Sequence, residues 1–463
     1  MSDSSLEAVQ FGTDGWRATL DSFTTPRVRA VGQAVADHLL SPDAEPGTVA
    51  VGYDARESSA GFAADLAGVL RTNGFDVLVP ERDVPTPVLA WTVRERGLAG
   101  GLMLTASHNP ADYNGVKFLP AGGAPAGAAV TDAIVEGLRP PVTDPGRPRG
   151  ERVKLNMREP YLAHAREFCA TPDLSGLTLA YDAMHGSGRG VTDELLRSCG
   201  AEVLELRTDT DPSFGGVPPE PSEARLAELV ATVEEGEATL GIANDGDADR
   251  IAVVTERGYL DANLLYCVLY EHLLERRSGD AVRTVSTTGL VDRVAGAHDH
   301  QAHQTAVGFK HVARAMAEQE ALFGGEESGG FGVTDHLRNK DGVLIALLAA
   351  RAHQATPIDR RVATIRDRFG DIAQDRLSVA CPDEDKPVVL ERLAEAIPER
   401  VADVAVEAVS DRDGVKLRLA DGSWLLIRPS GTEPKLRVYC EAATRARLDA
   451  LLAAGERLVD AQL

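Results

Sequence analysis

Ser107 and His108 stand side by side in the stretch Thr105-Ala106-Ser107-His108-Asn109-Pro110. A serine next to a histidine suits a hydroxyl nucleophile with proton-transfer help at hand. Pro110 donates no backbone hydrogen bond and biases Asn109 away from helix, so the turn is stiff. The same residues would also make a plain turn whose polar side chains bond only their own backbone, and the hexapeptide alone does not choose. Asp245, Asp247 and Asp249 recur two apart around Gly246, just before Arg250. Clustered carboxylates repel one another unless a cation lies among them, and an all-oxygen set suits Mg²⁺, with a phosphate oxygen as a further ligand. An acidic surface loop is the competing reading; Arg250 and the apolar residues on either side favour an embedded site.

Three more stretches carry polar chemistry. Arg428, Ser430, Gly431 and Thr432 form an anion cradle stiffened by Pro429 and Pro434. Arginine grips two oxygens, the hydroxyls and backbone N–H groups donate, and Gly431 lets the backbone come close. Glu326 and Ser328 sit in the glycine-rich 324–330 stretch, where a carboxylate can accept from two vicinal hydroxyls of a sugar; a flexible loop is the alternative. Arg17 follows a turn around Asp14 and can reach a phosphate, or it is a solvated surface arginine.

The elements that must position these residues alternate. Strands are expected at 49–54, 75–79 and 99–104, with helices at 59–73 and 87–96 between them, so the chain arrives at Ser107 from a mostly parallel sheet. Residues 140–150 have linker composition. The pattern restarts with strands at 177–182, 201–206 and 239–243 and a helix at 222–235, and the last strand runs into Asp245. Tyr53-Asp54-Ala55 reappears as Tyr181-Asp182-Ala183. A third block brings a helix at 264–277, a strand at 282–286, a helix from Gly308, and then Glu326. From about 370 a hairpin around Asp421-Gly422, a strand at 436–441 and a helix at 445–459 read as a small antiparallel α+β unit. The expected domains are 1–150, 151–256, 257–369 and 370–463.

Composition narrows the class. The formal charge of −23 over 463 residues argues against nucleic-acid or anionic-membrane binding. Only 7 lysines stand against 41 arginines. Lys117, Lys310, Lys340 and Lys435 all fall in or beside the candidate motifs, so each is a candidate for a specific role. The five cysteines are spread without CxxC spacing, which suggests neither disulfides nor zinc. No signal region or apolar run of about 20 residues is evident, and a cytoplasmic location is expected.

The stretches 105–110, 245–250, 325–330 and 428–435 resemble, in order and spacing across essentially the whole chain, the four signature loops of the α-D-phosphohexomutase family. The resemblance implies three similar α/β domains with mixed sheets plus a C-terminal antiparallel α+β domain, around a central cleft, with the last domain mobile. It implies that Ser107 carries a phosphoryl group and adds an oxygen to the Mg²⁺ held by Asp245, Asp247 and Asp249. Glu326 and Ser328 would bind sugar hydroxyls, and Arg428, Ser430, Gly431 and Thr432 the phosphate that is not reacting. Arg250 would neutralise charge on the transferring group. Lys117 and Lys310 are candidate acid/base or phosphate-binding groups, and His108 is a second candidate. The implied activity is interconversion of hexose 1- and 6-phosphates through a 1,6-bisphosphate, with glucose 1,6-bisphosphate as activator, in a monomer or homodimer. Some mutases acting on mannose or glucosamine phosphates carry histidine where Gly330 stands. That leans towards glucose phosphate and leaves phosphomannomutase, phosphoglucosamine mutase, a phosphoserine-dependent phosphatase and a silent sugar-phosphate sensor as alternatives.

Overall fold

The computed structural model describes residues 6, 8–12, 14–40, 47–431 and 434–463. Four sheets follow one another along the chain. In the first, six strands run in the order Trp16–Thr19, Tyr113–Pro120, Gly100–Leu104, Thr48–Tyr53, Asp76–Pro80 and Arg152–Leu155. The last four of these are mutually parallel, but Tyr113–Pro120 returns antiparallel beside Gly100–Leu104. The second sheet repeats the device: Leu240–Asn244 is parallel to Thr178–Asp182 and antiparallel to Ile251–Thr255. In the third, Phe323–Gly325 is parallel to Ala281–Thr284 and antiparallel to Phe331–Val333.

The sheets are therefore mixed. The parallel alternation visible in the sequence stops at one strand in each block, and the next strand turns straight back. Residues 105–112, 245–250 and 326–330 are the tips of those returns. The fourth sheet is antiparallel throughout, and Ser430 lies just past the end of Trp424–Pro429 where that strand pairs with Lys435–Ala442. All four polar stretches thus leave the ends of buried strands, where open α/β sheets place ligands.

Two sequence expectations change. The stretch 140–150 is not followed by a new sheet: Arg152–Leu155 pairs with Asp76–Pro80, so the first sheet reaches residue 155. The helix expected at 222–235 is a 3₁₀ turn, Glu223–Arg225, and then the α-helix Ala227–Glu234.

One apolar core runs through the first three blocks, from Ala50 and Trp91 through Tyr161 and Tyr181 to Leu344 and Ile365. The helix Gly342–Ala355 lies within it, capped by Asp341, whose carboxylate accepts the Leu344 N–H at 2.8 Å. Lys340, one residue before that cap, is almost wholly buried. The C-terminal sheet has its own core, including Leu425, Ile427, Val438 and Leu451. It meets the third block through a small cluster of Val285, Trp424, Leu426 and Tyr439. Among the described residues no helix is long and apolar enough to cross a membrane.

Candidate active site

Ser107 is fully buried and adopts φ 52°, the left-handed region that a serine enters only when held there. Its N–H donates to Thr105 Oγ1 at 2.8 Å, and its Oγ donates to Asp245 Oδ2 at 2.7 Å. The turn thus presses against the aspartate loop of the second block. A Cβ on Gly246 would lie 2.6 Å from the Ser107 carbonyl oxygen, so only glycine permits this approach. His108 Nδ1 is 3.4 Å from the serine Oγ. Arg250, burial and Arg17 together push the His108 imidazole far below its ordinary value.

Asp245, Asp247 and Asp249 bring one carboxylate oxygen each within 4.8 Å of the others, all buried. Burial, reinforced by Asp247 and Asp249, pushes the Asp245 carboxyl well above the usual carboxylate range. Asp247 Oδ1 and Asp249 Oδ1 are buried with no hydrogen-bond partner among the described residues. Orphaned carboxylate oxygens of this kind are costly unless a cation reaches them. The donor set is hard oxygen throughout, so it fits a divalent metal such as Mg²⁺.

The opposite oxygens are taken by lysines. Lys117 Nζ lies 2.8 Å from both Asp247 Oδ2 and Asp249 Oδ2, and 2.9 Å from Asp14. Strand register places it there: Arg17 pairs with Gly115, two residues before Lys117, so both cations leave one face of the first sheet. Burial alone would lower the Lys117 ammonium, but Asp14, Asp247 and Asp249 hold it well above its ordinary value. Lys340 Nζ joins the cluster, 2.9 Å from Asp249 and 3.1 Å from Asp14. Burial would raise the Asp14 carboxyl, but Lys117 and Lys340 outweigh it and keep it well below the usual range. Arg17 pairs with Asp14 at 3.0 Å and donates to Asn109 at 3.3 Å. Arg250 Nε lies 4.0 Å from Asp249 and has no hydrogen-bond partner among the described residues.

Glu326 is buried within electrostatic reach of Lys340 and Arg250. Its Oε1 accepts the Gly308 N–H at 3.1 Å, and burial pushes its carboxyl up to about 7 against the pull of Lys340. Ser328 is exposed at the tip of the same loop. Lys310 is half-buried in the first turn of the helix Phe309–Glu318 and does not join the carboxylate cluster. In the C-terminal domain Arg428 Nε pairs with Asp413 at 3.1 Å, and the same Asp413 oxygen accepts the Val307 N–H at 2.9 Å. Ser430 Oγ is buried without a partner among the described residues, and its carbonyl accepts from Lys386 Nζ at 2.8 Å. Gly431 is exposed, and Thr432 lies outside the described residues.

The structure therefore brings Ser107, His108, Lys117, Arg250, Arg17 and the three aspartates into one cluster with Glu326 at its edge. Ser328 and Lys310 stay apart from it, and Arg428 and Ser430 belong to a second polar group. Asp14 and Lys340 complete the cluster without having been assigned a role from sequence. The scarcity of lysine pointed at Lys340; nothing local marked Asp14 beyond its glycine-flanked turn. Arg56, which grips the Ser107 turn from below, was also passed over, although it directly follows the repeated Tyr-Asp-Ala.

Hairpin tips of the first two blocks set a buried serine against three buried carboxylates, a combination suited to phosphoryl transfer. The phosphoglucomutase/phosphomannomutase models match along the chain: alpha/beta/alpha domain I over residues 8–140, domain II over 159–258, domain III over 261–369, and the C-terminal domain over 377–456. A "probable phosphoglucosamine mutase" of Methanopyrus kandleri is 34% identical over 447 residues, covering 94% of each chain. A phosphopentomutase of Thermococcus kodakarensis is 33% identical, covering 95% of each. The crystal structure of a "putative phosphomannomutase" from Thermus thermophilus superposes with a TM-score of 0.85 at 30% identity, covering 98% of this chain and 99% of that one. The chain belongs to the phosphoglucomutase/phosphomannomutase family and is a phosphomutase, an isomerase that moves a phosphoryl group within its substrate.

Proposed function

We propose that this phosphomutase interconverts hexose 1-phosphate and hexose 6-phosphate, with Ser107 as the phosphoryl carrier and a hexose 1,6-bisphosphate as the intermediate. The observation that carries the reading is Ser107 Oγ at 2.7 Å from Asp245, inside a cluster with two orphaned carboxylate oxygens. Mg²⁺ held by Asp245, Asp247, Asp249 and Ser107 Oγ would supply charge neutralisation on the transferring group. Arg250, with its unpartnered Nε, faces the same space and is suited to a phosphoryl oxygen. Lys117, Lys340 and His108 are the candidates for holding or moving a proton at the sugar hydroxyl. Glu326 reads sugar hydroxyls, while Arg428 and Ser430 hold the phosphate at the far end. A hydrolase needs one anion grip; a mutase must hold a doubly phosphorylated intermediate at both ends.

Two sugars compete. Gly330 in place of histidine leans towards glucose phosphate, while the relative named as a phosphoglucosamine mutase supports glucosamine phosphate equally well. Phosphorus NMR with glucose, glucosamine and mannose 1-phosphates decides. Formation of a 6-phosphate, stimulated by a trace of glucose 1,6-bisphosphate, is the expected result. Stoichiometric release of inorganic phosphate without that stimulation would show a phosphatase instead.

A further inference from the structure

Arg56 holds the Ser107 turn through its backbone. Its Nη2 donates to the Ser107 carbonyl at 2.9 Å and the Asn109 carbonyl at 2.7 Å. Its Nη1 donates to the Tyr113 carbonyl at 3.1 Å and also to the Pro110 carbonyl. Asp54 pairs with Nε at 3.0 Å, both side chains being wholly buried. Asp54 is fixed in turn by the Ser59 hydroxyl at 2.6 Å and the Arg56 N–H at 3.2 Å. Converging carbonyl oxygens in a buried turn need a donor in their midst, and a planar guanidinium with five N–H groups supplies it where an ammonium could not.

The free face of the guanidinium is covered from the second block. The Phe214 ring lies over it, 5.0 Å from ring centre to the guanidinium carbon. Phe214 is buried at φ 57° and followed by Gly215 and Gly216, both also at positive φ. Asp211 ties this turn by accepting the Ser213 and Gly215 N–H groups at 2.8 and 3.0 Å. The strained turn therefore delivers an aromatic ring to an arginine of another block.

We infer that Arg56 is a positioning residue for phosphoryl transfer, with Phe214 as its latch; the inference rests on the reading of Ser107 as phosphoryl carrier. Arg56 holds Ser107 in the left-handed conformation that aims Oγ at Asp245. Its hold on the Ser107 carbonyl also sets how closely the turn stands to Gly246. Phe214 covers the guanidinium face and shields it from water, so the alignment depends on the first two blocks staying docked.

The test compares full-length Arg56→Lys and Phe214→Leu with wild type and Ser107→Ala. With Mg²⁺ and glucose 1-phosphate or glucosamine 1-phosphate, whichever is turned over faster, kcat and KM are measured. Loading of phosphate onto the protein from glucose 1,6-bisphosphate is followed by intact mass. Arg56→Lys should lower kcat about 100-fold, the cost of a misplaced reacting atom, and slow loading similarly. KM should stay within about two-fold, because the far-end phosphate grip is untouched. Phe214→Leu should lower kcat about five-fold with the same split. A wild-type kcat in a folded Arg56→Lys, or a loss carried by KM, overturns the inference. Should Arg56→Lys not fold, Phe214→Leu decides alone by the same criterion. If Ser107→Ala keeps the wild-type rate, the carrier reading itself fails; if Ser107→Ala is dead and Arg56→Lys is normal, only the inference about Arg56 fails.

Discussion

Gly330 and Lys340 compete for one volume: a Cβ on Gly330 would lie 2.5 Å from Lys340 Cδ. The missing side chain is what lets the lysine stem pass and deliver Nζ to Asp249 and Asp14. Gly330→His should therefore expel Lys340, leave those carboxylates under-compensated, and lower kcat at least about ten-fold, the loss of one charge-assisted bond. Because the two positions share a space, Gly330→His should cost little more in a Lys340→Ala background. Additive losses in the double variant would show that the two residues act separately.

Ser107→Ala removes the hydroxyl that donates to Asp245. The variant should lose mutase activity by several orders of magnitude and stay at its unmodified mass after incubation with glucose 1,6-bisphosphate. Wild-type protein should gain one phosphoryl group, located at Ser107 by peptide mapping.

Asp247 has one oxygen shared between Lys117 and Thr86 and the other orphaned. Asp247→Asn keeps the shape and weakens the charge a cation would meet. The Mg²⁺ concentration for half activity should rise roughly ten- to a hundred-fold. Activity that survives excess EDTA in wild-type protein would exclude the metal role.

Arg428→Lys keeps the charge and loses the two-pronged grip. The loop is proposed to hold whichever phosphate is not reacting, so KM should rise for the 1-phosphate and the 6-phosphate alike, by about ten-fold. A rise for one substrate only would mean that the loop serves a single orientation.

Lys416 lines a cavity of about 560 Å³ between the third block and the C-terminal domain. Its Nζ lies 3.8 Å from the Trp424 ring centre and donates to the Val285 carbonyl. Burial, with Arg283 adding to it, pushes the ammonium down to about 7, against Glu441, Asp292 and Glu327. The unfolded chain keeps this proton up to about 10.5. Between those values the unfolded state binds more protons, so this lysine makes stability rise with pH across the window and costs most below it. Urea unfolding at pH 7, 8 and 9 should show a smaller rise for Lys416→Met than for wild type, with the variant's advantage greatest at pH 7. Parallel pH dependences would remove Lys416 as the cause.

The polar tips were legible because each carries its chemistry within a short stretch: Asp245, Asp247 and Asp249 bring three carboxylates together from alternate positions. The strands leading into them were legible for the same local reason. The strands leading out of them were not. Ile251–Thr255 is as apolar as a parallel strand, and only its pairing with Leu240–Asn244 gives its direction. The Lys340–Asp14 pair joins residues 326 positions apart, and no local pattern encodes it. The Tyr-Asp-Ala repeat was visible, and its meaning lies in the backbone. Asp54 accepts the N–H of Arg56, and Asp182 accepts that of Met184, so the same aspartate turn closes a strand in both blocks.

Ser107, the three aspartates, Glu326 and Ser430 all lie past the last paired residues of their strands, so the sheets do not depend on which side chains the tips carry. Inheritance of the frame and inheritance of the chemistry are thereby uncoupled. A lineage can lengthen, shorten or recharge one tip and test a new sugar while the other three and all four sheets are carried over unchanged. On such a scaffold substrate range diverges faster than architecture, and a chain's nearest relatives in shape need not share its preferred sugar.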